Sequence, residues 1–421
     1  MLRLLISLGI TLNCYFTKLI EILVKILYLS NVAGKSGGGV SQVVKALLPE
    51  DLEFRDNREL WFLGNKVQEV EISNACGMSK NSVTAIGNSV SCFPYFYRKL
   101  RNIGKNKMII HQHGIFLPIS LLSLTSPKNV KVIISPHGYL EPEKMKVSLF
   151  KKKIVLGLFE GRNLRNSSAL VACSAQEALS IRNFGLPQPI AIIPNGVDEA
   201  LTRKSQRVGG KEAFKKKYLV KGDVKILLFL SRIHPFKGLK LLLRAIVAIK
   251  SEFYKNKWVF IIAGIDENNH EDELKAFVVE NNLEDIVLFV GPQYDEDKIQ
   301  ALDAADCFIL PSKGENFGIV VIEALVRGLP VITTMTTPWK ALITLNCGWW
   351  VERSQESFQH TLLEMFAKDG NDLISMGENG RELVLERYTW PKIREQTRLF
   401  YKWVENDFKA QFCKGFTLFK S

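Results

Sequence analysis

Glu315 and Glu323 stand with seven residues between them in the segment GENFGIVVIEA. An isolated glutamate pair is most often a helix cap and a solvated helix position. Here Glu323 is embedded in Ile319, Val320, Val321, Ile322, Ala324 and Leu325. An unpartnered carboxylate in such an apolar segment is costly, so a ligand or a partner is expected. A second set of charges lies upstream, Arg232 and Lys237 in SRIHPFKG. Two cations fixed in one loop can neutralise a departing diphosphate without a metal, and Arg does so through two parallel hydrogen bonds. His137, in SPHG, follows an apolar run of strand character. On position alone, a hydrogen-bonded structural histidine is its plainer reading.

These residues need elements to hold them. Residues 307–310 read as a buried strand, 317–326 as a helix after a Gly-containing turn, and 331–333 as a further strand. In such a unit the loop and the helix start lie at the carboxyl edge of a parallel sheet, where free N–H groups and the helix dipole attract phosphate. Strands at 224–231, 258–263 and 286–290 precede it, alternating with helices at 239–253, 271–281 and 297–305. That alternation predicts a doubly wound parallel sheet. The first half starts a similar alternation with strands at 25–31, 107–113, 130–135 and 169–174.

The chain has 421 residues, 47% of them hydrophobic and 24% charged, the composition of a globular protein of two ordinary domains. Seven scattered cysteines, with no Cys-x-x-Cys, predict reduced thiols in a cytosolic protein rather than a disulfide or zinc framework. The net charge is +13, and residues 1–200 carry +10 of it. Such a surplus calls for an anionic partner. Nucleic acid and an anionic membrane both fit, but no helix-turn-helix, zinc-finger or RNP-type signature supports nucleic acid, and the membrane surface is preferred. Residues 1–24 are apolar but interrupted by Asn13, Lys18 and Glu21, too broken to span a bilayer and without a cleavage signal. A membrane-surface helix and an extension ahead of the true start both stand. Residues 144–165 place Lys151, Lys152 and Lys153 ahead of an apolar body, as a lipid-facing helix or a core helix with a solvated face.

Three motif readings are set aside. Gly34, Lys35 and Ser36 suggest a P-loop, but the first glycine of that motif falls at Leu29. The glycine-rich turn at Gly37, Gly38 and Gly39 instead lets backbone approach a ligand closely. His111 and His113 lack a third metal ligand at suitable spacing. Asp295, Glu296 and Asp297 sit at a helix start, where acidic residues complement the dipole.

Together the paired glutamates, the Arg232 and Lys237 loop, SPHG, PNGVD at residues 194–198 and the glycine turn resemble the family 4 retaining glycosyltransferases (glycosyl transferases group 1), including bacterial surface-polysaccharide members. Cys347 to Trp350 and the Arg387–Trp390 element continue the likeness, which runs over residues 25–405. The resemblance implies a GT-B fold: two Rossmann-like domains facing each other across a cleft, with a C-terminal helix crossing back. The implied boundaries are 1–24 for an extension, 25–200 for an acceptor-binding domain, 201–390 for a nucleotide-sugar domain and 391–421 for the returning helix and basic tail. It implies a nucleotide-diphospho-sugar donor, no metal and no other cofactor, and a lipid-linked glycan acceptor of O-antigen, capsule or exopolysaccharide synthesis at the inner face of a bacterial plasma membrane. Arg232 and Lys237, with the N–H groups around Phe317, Gly318 and Ile319, would hold the diphosphate. Glu323 would take the ribose hydroxyls, Glu315 the sugar hydroxyls, and His137 would contact the sugar. Gly37, Gly38 and Gly39 would face diphosphate and acceptor. An epimerase or hydrolase of the same fold, a non-catalytic nucleotide-sugar binder and a basic membrane- or nucleic-acid-binding protein remain the alternatives.

Overall fold

A computed structural model of the protein describes residues 25–30, 38–48, 57–63, 83–86, 93–103, 107–203, 207–410 and 415–420. The extension at 1–24 and Gly37 lie outside the described residues. The earlier strands are β1 (Lys25–Ser30), β2 (Asn57–Leu63), β3 (Val83–Ile86), β4 (Met108–His113), β5 (Lys131–Ser135), β6 (Ala169–Ala172) and β7 (Ile190–Ile192). The later ones are β8 (Lys225–Leu230), β9 (Trp258–Ala263), β10 (Val287–Gly291), β11 (Cys307–Leu310), β12 (Val331–Thr334), β13 (Gly348–Val351) and β14 (Thr417–Leu418). Most are short, apolar and buried along their length, as strands covered on both faces must be.

The chain divides into two compact units, one ending at Ile193 and resuming at Arg394, the other Pro194–Ile393. In the first, the strand order is β14-β7-β6-β5-β4-β1-β2-β3, all parallel except β14, which pairs antiparallel with β7. Leu27, Leu29, Ile110, Ile134 and Leu170 form part of its core. In the second, the order is β10-β9-β8-β11-β12-β13, all parallel. That is the doubly wound arrangement, with the strand order reversing between β8 and β11, and ligands of such sheets bind beyond the strand ends at the reversal.

Local departures from the expected elements have physical causes. The helix expected at 239–253 breaks at Ile249 (φ −120°), giving Leu239–Ala248 and Lys250–Lys255. Residues 144–165 are not one core helix. The chain leaves the helix at Val147 and Ser148, and the following helix Leu149–Val155 buries no residue. Val147, Phe150 and Leu158 are 65%, 77% and 75% exposed, and burial resumes only near Glu160 and in Gly161–Asn166. Near the C-terminus the chain forms β14, and Phe416 stands 5.7 Å from Trp403, ring to ring.

Candidate active site

The chain after β8 turns through Pro235–Lys237 and leaves at Gly238, φ +78°. His234 Nδ1 accepts from the Phe236 N–H at 3.1 Å, and Phe236 O accepts from the Lys313 N–H at 2.8 Å. The first bond shapes the loop after β8, and the second ties it to the loop after β11. A Cβ on Gly238 would lie 2.1 Å from Pro311 O, so the approach is open only to glycine.

That approach sets Lys237 Nζ 2.5 Å from Glu315 Oε1, which also accepts from Ser312 Oγ at 2.6 Å. Both partners of the ion pair are largely buried. Arg232 occupies the same loop but faces another way. Its Nη1 lies 2.9 Å from each oxygen of Glu267, and its side chain is 60% exposed. The two cations are therefore held by different carboxylates.

Gly318, φ +77°, turns the chain into the helix Ile319–Val326, and as N-cap it has no side chain to offer the first N–H groups. The helix starts at Ile319 rather than at 317, because Gly318 takes up the left-handed turn. Phe317 is anchored by a ring contact with Trp339 at 5.2 Å, and Trp339 Nε1 donates to Phe317 O at 2.5 Å. Orphan N–H groups at a helix start suit an anion. Further along the helix, Glu323 is buried, and its Oε1 lies 2.7 Å from Lys298 Nζ. The partner expected for this apolar-flanked carboxylate is thus in part a lysine of the helix Asp295–Ala304. Asp295, Glu296 and Asp297 fill that helix's first turn, with Asp297 on Lys217 at 2.6 Å.

In the other unit, the sheet order reverses between β1 and β4. Gly38 and Gly39 open the helix Gly38–Leu47 that follows β1. Past β5, His137 has φ 53° and Gly138 φ 77°, a strained turn for a histidine. Glu177 holds the turn, its Oε1 accepting from Gly138 N at 2.5 Å and its Oε2 from Cys173 N at 2.7 Å. His137 Nε2 lies 2.9 Å from His113 Nδ1. Burial, then the charge of His137, pushes His111 down to about 3. Burial and the Lys144 ammonium push His137 down to about 4, and burial with its two histidine neighbours holds His113 well below the usual imidazole range. All three rings are neutral near pH 7. Among the described residues, no cluster of His, Cys, Asp or Glu could hold a metal ion.

Three neighbours of the candidate residues escaped sequence reasoning. Lys298 and Ser312 carry no signal beyond their positions. Glu177 does, since Ser174 and Glu177 form a Ser-x-x-Glu capping pattern, and Ser174 Oγ accepts from Glu177 N at 3.1 Å.

Residues 80–201 match the model described as Glycosyltransferase Family 4, and residues 210–383 match Glycosyl transferases group 1. The D-inositol 3-phosphate glycosyltransferase of Saccharomonospora viridis is 29% identical over 151 residues, 35% of this chain and 34% of that protein. The human alpha-1,3/1,6-mannosyltransferase ALG2 is 28% identical over 186 residues, 42% of this chain and 44% of its own. The chain thus spans less than half the length of these relatives. Among solved structures, Anabaena Alr3699/HepE in complex with UDP and glucose superposes with a TM-score of 0.72 at 17% identity, covering 90% of this chain and 99% of that one. WaaG, a glycosyltransferase involved in lipopolysaccharide biosynthesis, gives 0.64 at 15% identity, covering 88% and 98%. At these identities the likeness is one of fold.

Proposed function

This chain belongs to the group 1, family 4 glycosyltransferases of GT-B fold, and on that premise we propose that it transfers a hexose or related sugar from a nucleotide-diphospho-sugar, with retention and without metal. The observation that carries the reading is the Lys237–Glu315 pair at the sheet reversal, beside the uncapped helix start at Ile319. The solved relative with UDP-glucose bound supports a nucleotide-sugar donor.

In this mechanism the diphosphate draws Lys237 Nζ toward itself and takes hydrogen bonds from the N–H groups around Phe317, Gly318 and Ile319. The shift frees a Glu315 oxygen for sugar hydroxyls. Arg232 joins by leaving Glu267, and an exposed pair of that kind costs at most about 1 kcal/mol to break. Glu323 receives the ribose hydroxyls, and His137 contacts the sugar. Charge builds on the departing phosphate as the glycosidic bond breaks, and the cations and N–H groups stabilise it there. The acceptor hydroxyl attacks on the same face, its proton passing to the leaving phosphate.

The acceptor is a lipid-linked glycan of surface-polysaccharide synthesis, such as O-antigen or capsule, met at the inner face of a bacterial plasma membrane. Exposed Val147, Phe150 and Leu158, with Lys151, Lys152 and Lys153 among them, support contact with an anionic lipid surface. No described helix is long and apolar enough to cross a membrane. The reading is tested by incubating the protein with UDP-, GDP- and ADP-sugars and lipid-linked glycans in EDTA. It expects a new glycoside of unchanged anomeric configuration, and an inverted product or a metal requirement would overturn that part of it.

A further inference from the structure

β4 ends in His-Gln-His, and the two-residue strand period puts His111 and His113 on one face. In register, Tyr28 of β1 lies opposite His111, and Ser135 of β5 opposite His113. His111 uses both ring nitrogens, Nδ1 with the Tyr401 hydroxyl at 2.6 Å and Nε2 with Ser135 Oγ at 2.8 Å. His113 differs. Its Nδ1 meets His137 Nε2 at 2.9 Å, while its own Nε2 is buried with no hydrogen-bond partner among the described residues.

A neutral imidazole carries a single N–H. One proton therefore serves the contact between the two rings, and it belongs to one ring or the other. Were His137 the donor, the proton of His113 would sit on Nε2, a buried N–H with no acceptor, and orphaned buried N–H groups are rare and costly. With His113 as donor from Nδ1, its Nε2 is a bare nitrogen and the N–H of His113 is satisfied. We infer that His113 donates from Nδ1 to His137 Nε2, and so holds His137 in the tautomer whose proton is on Nδ1.

The consequence rests on the sugar-contacting role given to His137. With its Nε2 lone pair engaged, His137 offers the sugar a hydrogen-bond donor at Nδ1 and is not a base. His113 is then a positioning residue. The backbone bond from Gly138 N to Glu177 holds the turn, and the His113 contact adds the ring's orientation and tautomer, in the way an outer partner orients a metal-bound histidine.

The test is the two-bond proton–nitrogen spectrum of the imidazole rings in the full chain, for the wild type, His113→Phe and His113→Asn, with sugar transfer measured alongside. In the wild type, His137 is expected to show a protonated Nδ1 and a bare Nε2 with no nucleotide sugar present. His113→Phe should shift it to the Nε2–H form and lower kcat about tenfold or more with little change in donor KM. His113→Asn, whose amide nitrogen reaches about where Nδ1 stood, should restore the Nδ1–H form and much of the lost turnover. A wild-type His137 protonated on Nε2, or a tautomer unmoved by His113→Phe, overturns the inference. Should His113→Phe fail to fold, the wild-type spectrum decides alone. The spectrum needs no substrate, so a wrong transferase reading would silence the turnover arms and leave the tautomer result intact.

Discussion

Lys237 Nζ stands 2.5 Å from Glu315 Oε1, so the cation assigned to the diphosphate and the carboxylate assigned to the sugar form one ion pair. Breaking a buried pair from one side costs more than replacing both partners. Lys237→Met is expected to destabilise the second unit by about 2 kcal/mol, below the fully buried figure because both side chains keep some exposure. Lys237→Met with Glu315→Leu recovers much of that loss. Turnover falls about 10²-fold or more in either protein. Denaturant unfolding and donor kinetics check the two halves, and wild-type turnover in Lys237→Met would remove Lys237 from the phosphate site.

Gly318 and Gly238 share a left-handed φ but differ in what surrounds them. A Cβ on Gly318 meets only ordinary contacts, the nearest Val321 Cγ2 at 3.5 Å, whereas on Gly238 it meets Pro311 O at 2.1 Å. Gly318→Ala should therefore cost only backbone strain, about 1 kcal/mol. Gly238→Ala should cost more than about 3 kcal/mol, because the two loops must separate. Thermal unfolding measures both, and equal losses would contradict the close approach.

The exposed apolar and basic face at 147–158 should bind lipid by both of its properties. Phe150→Asp with Leu158→Asp is expected to weaken sedimentation with phosphatidylglycerol vesicles at all salt concentrations. Lys151, Lys152 and Lys153 changed to Gln should weaken it mainly at low salt, where surface charge is least screened. Binding unaffected by either set would leave this face without its lipid role.

The buried His111 gives the first unit an acid weakness. Its folded value is lowered to about 3 from an ordinary 6.5, so below 6.5 the unfolded chain binds a proton that the folded chain refuses. Stability is full above 6.5 and falls as pH drops toward 3, by up to about 1.4 kcal/mol per pH unit from this residue. Burial gives His113 the same direction. Urea unfolding followed across that window should show a shallower pH dependence for His111→Gln. An unchanged slope would mean that His111 titrates normally in the folded chain.

Most strands and the strand ends that carry chemistry were legible because buried parallel strands read as short apolar runs between glycine- and proline-marked turns, whereas β2, β3, β7, β13 and β14 were not read as strands. Lys237, Glu315 and Gly318 fall in such turns, and local sequence singles them out. Side-chain pairing across the sheet was not legible. Lys298 meets Glu323 from a neighbouring helix, and Arg232 meets Glu267 from the loop after β9, through contacts that only the folded chain makes. The segment at 144–165 has helical composition throughout, yet which faces are covered depends on packing, and Leu149–Val155 is left uncovered.

The central claim is that the second unit binds a nucleotide-diphospho-sugar at the end of β8 and β11, with Glu323 on the ribose. It is tested most directly by thermal unfolding of the wild type and Glu323→Ala with UDP-, GDP- and ADP-sugars in EDTA. The account predicts that one nucleotide series raises the wild-type midpoint and that Glu323→Ala, though folded, loses the rise. No protection by any nucleotide sugar, or equal protection of Glu323→Ala, would contradict it.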